Sequence, residues 1–175
     1  FTGGAGADTL NDGAVSTAAA DSLVGGAGID TFNVTATTNS TRIRDLGVGG
    51  VSDVFTVSAS ANGALITVTG DYVATAATSN NRALADVTLN ANNGVDVNMT
   101  AATGNFGFII DGNNALASTI QGSAKADSIT GGTGSDSLVG NAGNDIFTPN
   151  AGADTITAGA GDDSIVFTGS NFTAL

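Results

Sequence analysis

The chain contains no cysteine, no histidine and no tryptophan, and each of its 16 acidic residues is aspartate rather than glutamate. Without cysteine there are no disulfides, and without cysteine and histidine the usual ligands of tetrahedral zinc and of haem are missing. Basic residues are also scarce: 4 Lys and Arg leave a formal charge of −12. A nucleic-acid binder needs a basic stripe, so duplex DNA and anionic membrane surfaces are poor partners, and no nucleic acid is expected. No apolar run approaches the ~18 residues that cross a bilayer, so membrane insertion is not expected. No charged-then-apolar leader opens the chain. It begins "FTGGAG", without an initiator Met and already inside a repeat, and reads as a fragment of a longer protein.

What is present is apolar enough to fold. Of 175 residues 41% are hydrophobic and only 11% charged, with a mean hydropathy of +0.21, which is not the composition of a disordered chain. Acids placed only for solubility would include glutamate, the better helix former. Aspartate alone points to turns, where a short side chain reaches nearby backbone or a bound ion.

A repeat of nine accounts for the aspartates. "GGAGADTLN" at 3–11, "STAAADSLV" at 16–24 and "GGAGIDTFN" at 25–33 follow the pattern G-G-x-G-x-D-x-U-x, with U a large apolar residue. The middle unit has lost its glycines. "GSAKADSIT", "GGTGSDSLV", "GNAGNDIFT", "PNAGADTIT" and "AGAGDDSIV" then run without a gap from 122 to 166. Position 8 is Leu10, Leu23, Phe32, Ile129, Leu138, Phe147, Ile156 and Ile165, so it is always large and apolar.

The geometry follows from the pattern. Glycines at positions 1, 2 and 4 permit the positive φ of a tight turn, and the three residues after Asp form a short strand whose middle residue points inward. Two turn–strand units complete a flattened coil of 18 residues, and coils stack at ~4.8 Å. The expected fold is all-β: parallel β-roll or β-solenoid blocks with an intervening irregular β segment. Asp127, Asp145 and Asp163 then stack on one edge, and Asp136 and Asp154 on the other. Asp8 and Asp30 are 22 apart, which is one coil plus the insertion "DGAV" at 12–15, expected to bulge out as a loop.

Carboxylates stacked ~5 Å apart repel by roughly 3 kcal/mol at an effective dielectric of about 20. A hard divalent cation reverses that sign. Calcium takes 6 to 8 oxygens from carboxylates and backbone carbonyls, whereas magnesium prefers a rigid octahedron and keeps its waters. The cofactor implied is Ca2+, several ions, with folding coupled to binding.

Residues 3–33 and 122–166 resemble the RTX family of Gram-negative secreted proteins. The resemblance implies a calcium-bound β-roll, export through the type I secretion machinery in an unfolded state, and folding outside the cell. It also implies metal ligands: Asp8, Asp21, Asp30, Asp127, Asp136, Asp145, Asp154 and Asp163 at position 6, with turn carbonyls from Gly4, Gly6, Gly26, Gly28, Gly132, Gly134, Gly143, Gly152 and Gly161.

The expected organisation is an N-terminal roll block at 1–33, an inserted β-rich segment at 34–121 and a C-terminal roll block at 122–175. Within the middle, "TRIRDLGVGGVSDVFTVS" at 41–58 reads as strand, turn and strand, with Asp45 and Asp53 either capping the first roll or serving as ordinary turn residues. "ALITVTG", "VTLN" and "VDVNMT" read as further strands. Residues 74–86 fit a short helix or a long loop. Ile120 lies nine before Ile129, so the second roll extends back one rung, with Ser118 in the aspartate's place. Arg42, Arg44 and Arg82 are expected to pair with nearby aspartates.

No HExxH, GxSxG elbow or P-loop occurs, and the repeat aspartates need to be ionised, unlike a glycosidase acid. The expected function is therefore not enzymatic. A calcium-dependent structural protein of the extracellular cell surface fits best, an S-layer component forming a homo-oligomeric lattice, with any anchoring to surface polysaccharide supplied by parts outside this fragment. The acidic pI of about 4.1 and the scarcity of lysine resemble bacterial S-layer proteins. The alternative is the secretion and folding segment of an exported adhesin or hydrolase.

Overall fold

In the computed structural model the described residues are 1–12, 22–35, 41–46, 53–59, 61, 63–82, 87–92, 94–112 and 115–168. They form an all-β, parallel solenoid, with no helix among them. The stretch expected as helix or loop contains a turn and a two-residue strand; residues 83–86 of it lie outside the described residues.

One sheet runs the length of the molecule. It is built from β1 (Thr2–Ala5), β3 (Ser22–Ala27), β5 (Thr41–Leu46), β7 (Ala64–Val68), β10 (Val87–Ala91), β13 (Ile109–Asp111), β15 (Ser128–Gly132), β17 (Ile146–Asn150) and β19 (Ser164–Ile165), hydrogen-bonded in that order. Two shorter sheets close the other side. The N-terminal one holds β2 (Thr9–Asn11), β4 (Thr31–Val34), β6 (Val54–Val57), β9 (Ser79–Asn80) and β12 (Thr103–Gly104). The C-terminal one holds β8 (Tyr72–Val73), β11 (Val97–Asn98), β14 (Thr119–Gln121), β16 (Ser137–Ala142) and β18 (Thr155–Ala160). The strand pairs are parallel throughout.

The middle of the chain therefore continues the solenoid. β7, β8 and β9 make one coil and β10, β11 and β12 the next, each with three strands where the flanking coils have two. In these coils the N-terminal closing sheet ends and the C-terminal one begins. The long sheet draws strands from all three stretches read from the sequence.

Alternation in each strand turns one side inward, and stacking makes columns. Leu23, Ile43, Ile66, Leu89, Ile110, Ile129 and Phe147 form the column of the long sheet, all fully buried. Leu10, Phe32 and Phe55 oppose it at one end, and Tyr72, Val97, Ile120 and Leu138 at the other. Burying each such side chain contributes about 1.5–3 kcal/mol. At the handover Phe55 stacks on Tyr72 (centroids 6.3 Å) and meets Phe108 edge-on (6.0 Å). The Tyr72 hydroxyl donates to the Asp53 carbonyl or shares a hydrogen bond with Thr78 Oγ1, both at 3.0 Å. Burial pushes its pKa far up, so it stays protonated.

Candidate metal centre

The aspartates lie at the coil edges in ladders. The Asp8 N–H donates to Asp30 Oδ1 and the Asp30 N–H to Asp53 Oδ1, each at 2.9 Å. At the other end Phe108, Asp127 and Asp145 donate their N–H groups to Oδ1 of Asp127, Asp145 and Asp163 at 2.7, 2.8 and 2.9 Å. On the opposite edge Ser118 and Asp136 donate to Oδ1 of Asp136 and Asp154, both at 2.9 Å. Each carboxylate thus reaches back across one coil to the amide stacked on its own. The Asp8–Asp30 stack survives the insertion between them. Asp12, the first residue of that insertion, is buried and accepts hydrogen bonds from the Thr35 and Thr41 hydroxyls. The rest of the insertion and Asp21 lie outside the described residues.

One oxygen of Asp30, Asp53, Asp127, Asp136, Asp145, Asp154 and Asp163 is engaged in this way. The second oxygen is a different matter. Oδ2 of Asp8, Asp136 and Asp145 is buried and has no hydrogen-bond partner. A buried carboxylate oxygen without a partner is costly unless a cation meets it. Burial raises the pKa of Asp136, opposed by the Ser118 and Gly132 amides and reinforced by the charge of Asp154. Burial raises that of Asp145 too, opposed by the Asp127 amide and reinforced by Asp163. Asp127 is pushed up to about 6, chiefly by burial.

The glycine at position 1 does not serve positive φ, as its place in the motif suggests. It clears space for the carboxylate of its own unit. A Cβ on Gly3 would lie 2.6 Å from Asp8 Oδ2, one on Gly122 2.6 Å from Asp127 Oδ2, and one on Gly131 2.9 Å from Asp136 Oδ2. Positions 2 and 4 carry the left-handed backbone in most turns: Gly4, Gly6, Gly26, Gly28, Gly143, Gly152 and Gly161 all have positive φ. Asn141 and Asn150 do so at position 2 (76° and 65°), as asparagine tolerates. Gly132 and Gly134 lie outside that region, a departure from the sequence expectation. Gly134 is instead required by close approach, since a Cβ there would sit 2.5 Å from the Leu116 carbonyl oxygen.

These turns stack carbonyl over glycine. The carbonyl oxygens of Gly4, Gly6, Gly134 and Gly143 occupy the space a Cβ would need on Gly26, Gly28, Gly152 and Gly161. Each edge is thus a column of carbonyl oxygens beside a column of carboxylates.

Three acidic features escape the nonapeptide pattern. Asp53 is a full ladder member although its unit, VGGVSDVFT, keeps glycine at one motif position only, Gly49; the signal was Asp53-Val54-Phe55, which matches Asp30-Thr31-Phe32. Asp45 caps the turn of the preceding coil, accepting from Gly25 N–H (2.9 Å) and Gly26 N–H (2.7 Å). Asp71 and Asp96 form a ladder of the opposite sense, in which the Asp96 N–H donates to Asp71 Oδ1 (3.0 Å) and the Thr119 N–H to Asp96 Oδ1 (2.6 Å). Arg42 and Arg44 differ from expectation. Arg44 Nε donates to Ser22 Oγ (2.8 Å), and among the described residues neither Arg42 nor Arg44 forms an ion pair.

Among the described residues no three acidic, histidine or cysteine side chains converge. A metal at these edges would be held by few carboxylates and many carbonyls. That donor set is all oxygen, hard and irregular, and it fits calcium rather than magnesium or a transition metal. The orphaned Oδ2 atoms of Asp8, Asp136 and Asp145 meet the same test.

No curated protein and no solved structure matches the chain. A family model does: the RTX calcium-binding nonapeptide repeat matches four times, over residues 1–14, 15–33, 111–147 and 150–171. Together these cover just over half of the chain. With its aspartate ladders and stacked carbonyls, the chain belongs to the RTX calcium-binding repeat family.

Proposed function

We propose that the chain is a calcium-locked structural rod of the bacterial cell surface, part of a self-assembling S-layer. The observation that carries the reading is the nine-stranded sheet that joins both sets of repeats through the middle of the chain. A roll that only aids secretion of a neighbouring enzyme has no need of an uninterrupted sheet joining two sets of repeats. Ca2+ ions bind at the edges through Asp8, Asp30, Asp136, Asp145, Asp154 and Asp163 and the turn carbonyls. Asp53 joins them at the N-terminal edge. The role is not catalytic. Export runs through the type I secretion machinery, with folding delayed until external calcium is met. The acidic, lysine-poor composition supports the surface-layer reading, which otherwise rests on likeness of kind.

The test uses the full-length parent protein. Calcium is removed with a chelator and restored while circular dichroism and electron microscopy are followed. Calcium-induced folding with two-dimensional sheets is the expected result. Folding without sheets would favour an adhesin or hydrolase segment, and no response to calcium would overturn the metal reading.

A further inference from the structure

The turn "GSAKAD", residues 122–127, departs from its neighbours at two positions, with Ser123 at position 2 and Lys125 at position 4. Ser123 is buried and the Asp127 carboxylate lies against it. Oδ1 of Asp127 accepts the Phe108 N–H and Oδ2 the Ser123 N–H, both at 2.7 Å. Ser123 Oγ stands 3.0 Å from Oδ2 and 3.2 Å from Oδ1. Because Oγ also accepts the Lys125 N–H at 3.1 Å, its single proton is left for the carboxylate. Both oxygens of Asp127 are therefore satisfied by protein, whereas Oδ2 of Asp136, approached only by the Gly132 amide, and Oδ2 of Asp145 form no hydrogen bond.

Directly under Asp127 the coil beneath places no carboxylate. Its residue stacked under Asp127 is Phe108, whose ring is turned into the core against Phe55. The Lys125 ammonium adds positive charge to the turn, while its backbone carbonyl stacks under Gly143 and so remains available to the next coil.

We propose that Ser123 stands in for a calcium ion, so that the C-terminal roll opens on a coil that closes without metal and its binding sites on this edge begin with Asp145. The inference rests on the calcium reading above. It removes Asp127 from the ligands suggested by the motif and assigns its carboxylate to the Ser123 hydroxyl. It also supplies a metal-free template on which the calcium-dependent coils can add.

A reciprocal exchange tests it in the full chain. Neither Ser123 nor Gly132 has positive φ, so serine and glycine are interchangeable in backbone conformation at these two positions. Calcium bound per chain is measured by equilibrium dialysis, and the melting temperature is measured in chelator. Ser123→Gly with Lys125→Gly should bind one more ion than the parent and melt lower in chelator. Gly132→Ser, which places a hydroxyl beside Asp136, should bind one fewer ion and melt higher in chelator. Asp127→Asn should leave the count unchanged while Asp145→Asn lowers it by one. An Asp127→Asn protein that loses an ion as Asp145→Asn does, or a double variant with an unchanged count, overturns the proposal. If Asp127→Asn does not fold, the double variant decides. A parent chain that binds no calcium overturns the underlying reading, and that result is visible before any variant is made.

Discussion

Asp136 and Gly131 show how one residue of the repeat makes room for another. A Cβ on Gly131 would press on Asp136 Oδ2 at 2.9 Å and on the Pro149 carbonyl oxygen at 2.7 Å. The carbonyl belongs to backbone and cannot swing away, so the carboxylate or the strand must shift. Gly131→Ala should destabilise the calcium-loaded protein by about 1–3 kcal/mol and weaken calcium binding, read by denaturant titration and calcium titration together. Protonation acts at the same scale. The folded pKa of Asp127, about 6, lies above the ordinary value of 3.8. Its contribution to the calcium-free fold is thus fully present below pH 4 and lost as pH rises through 6. In chelator the protein should be more stable at pH 4 than at pH 7, by about 2–3 kcal/mol from this residue. With calcium bound the trend should reverse, since protons compete with the metal for the ligand carboxylates. Urea titrations at the two pH values, with chelator and with calcium, check both signs.

The strands form one core because their inward residues stack, and the weak point of that core is the handover between the two closing sheets. There Phe55 bridges β6, β8 and the turn before β13 through its contacts with Tyr72 and Phe108. All three rings are buried. Phe55→Ala should cost about 3–5 kcal/mol. Because the cavity opens between the sheets, both sets of repeats should lose stability together. Unfolding followed by hydrogen exchange in strands of each half is the measurement; loss confined to the N-terminal strands would show that the halves fold independently.

At the scale of the molecule, nine parallel strands at ~4.8 Å place the ends of the long sheet about 38 Å apart. Its contacts join coils roughly 18 to 23 residues apart in sequence, so no coil is stable without a neighbour. Ladder carboxylates oppose that stacking until a cation is present. The chain should therefore change dimensions with calcium. Small-angle scattering should give a radius of gyration below about 20 Å in millimolar calcium and a larger one in strong chelator, as coils held only by calcium open. A compact particle in chelator would show that hydrophobic columns alone suffice.

The nonapeptide by itself determined the parallel roll, the inward column through Leu23, Ile129 and Phe147, and the stacking of Asp127, Asp145 and Asp163. These follow from periodicity, because a turn of fixed length brings position 6 over position 6 and position 8 over position 8. The middle coils were legible only as separate strands. Their repeat lengths vary and their glycines no longer recur at the nonapeptide spacing, so nothing in the spacing showed that β7 and β10 extend the same sheet or that each coil takes a third side. Asp53 was legible in the sequence as a cap of the first roll or an ordinary turn residue, but its register is set by the pairing of Phe32 with Phe55. The reversed ladder of Asp71 and Asp96 and the engagement of Asp127 by Ser123 depend on which way a carboxylate points between coils. That direction is decided by the amides and hydroxyls of residues 18 or more positions away, or by a single side chain beside it, and only the stacked structure brings them together.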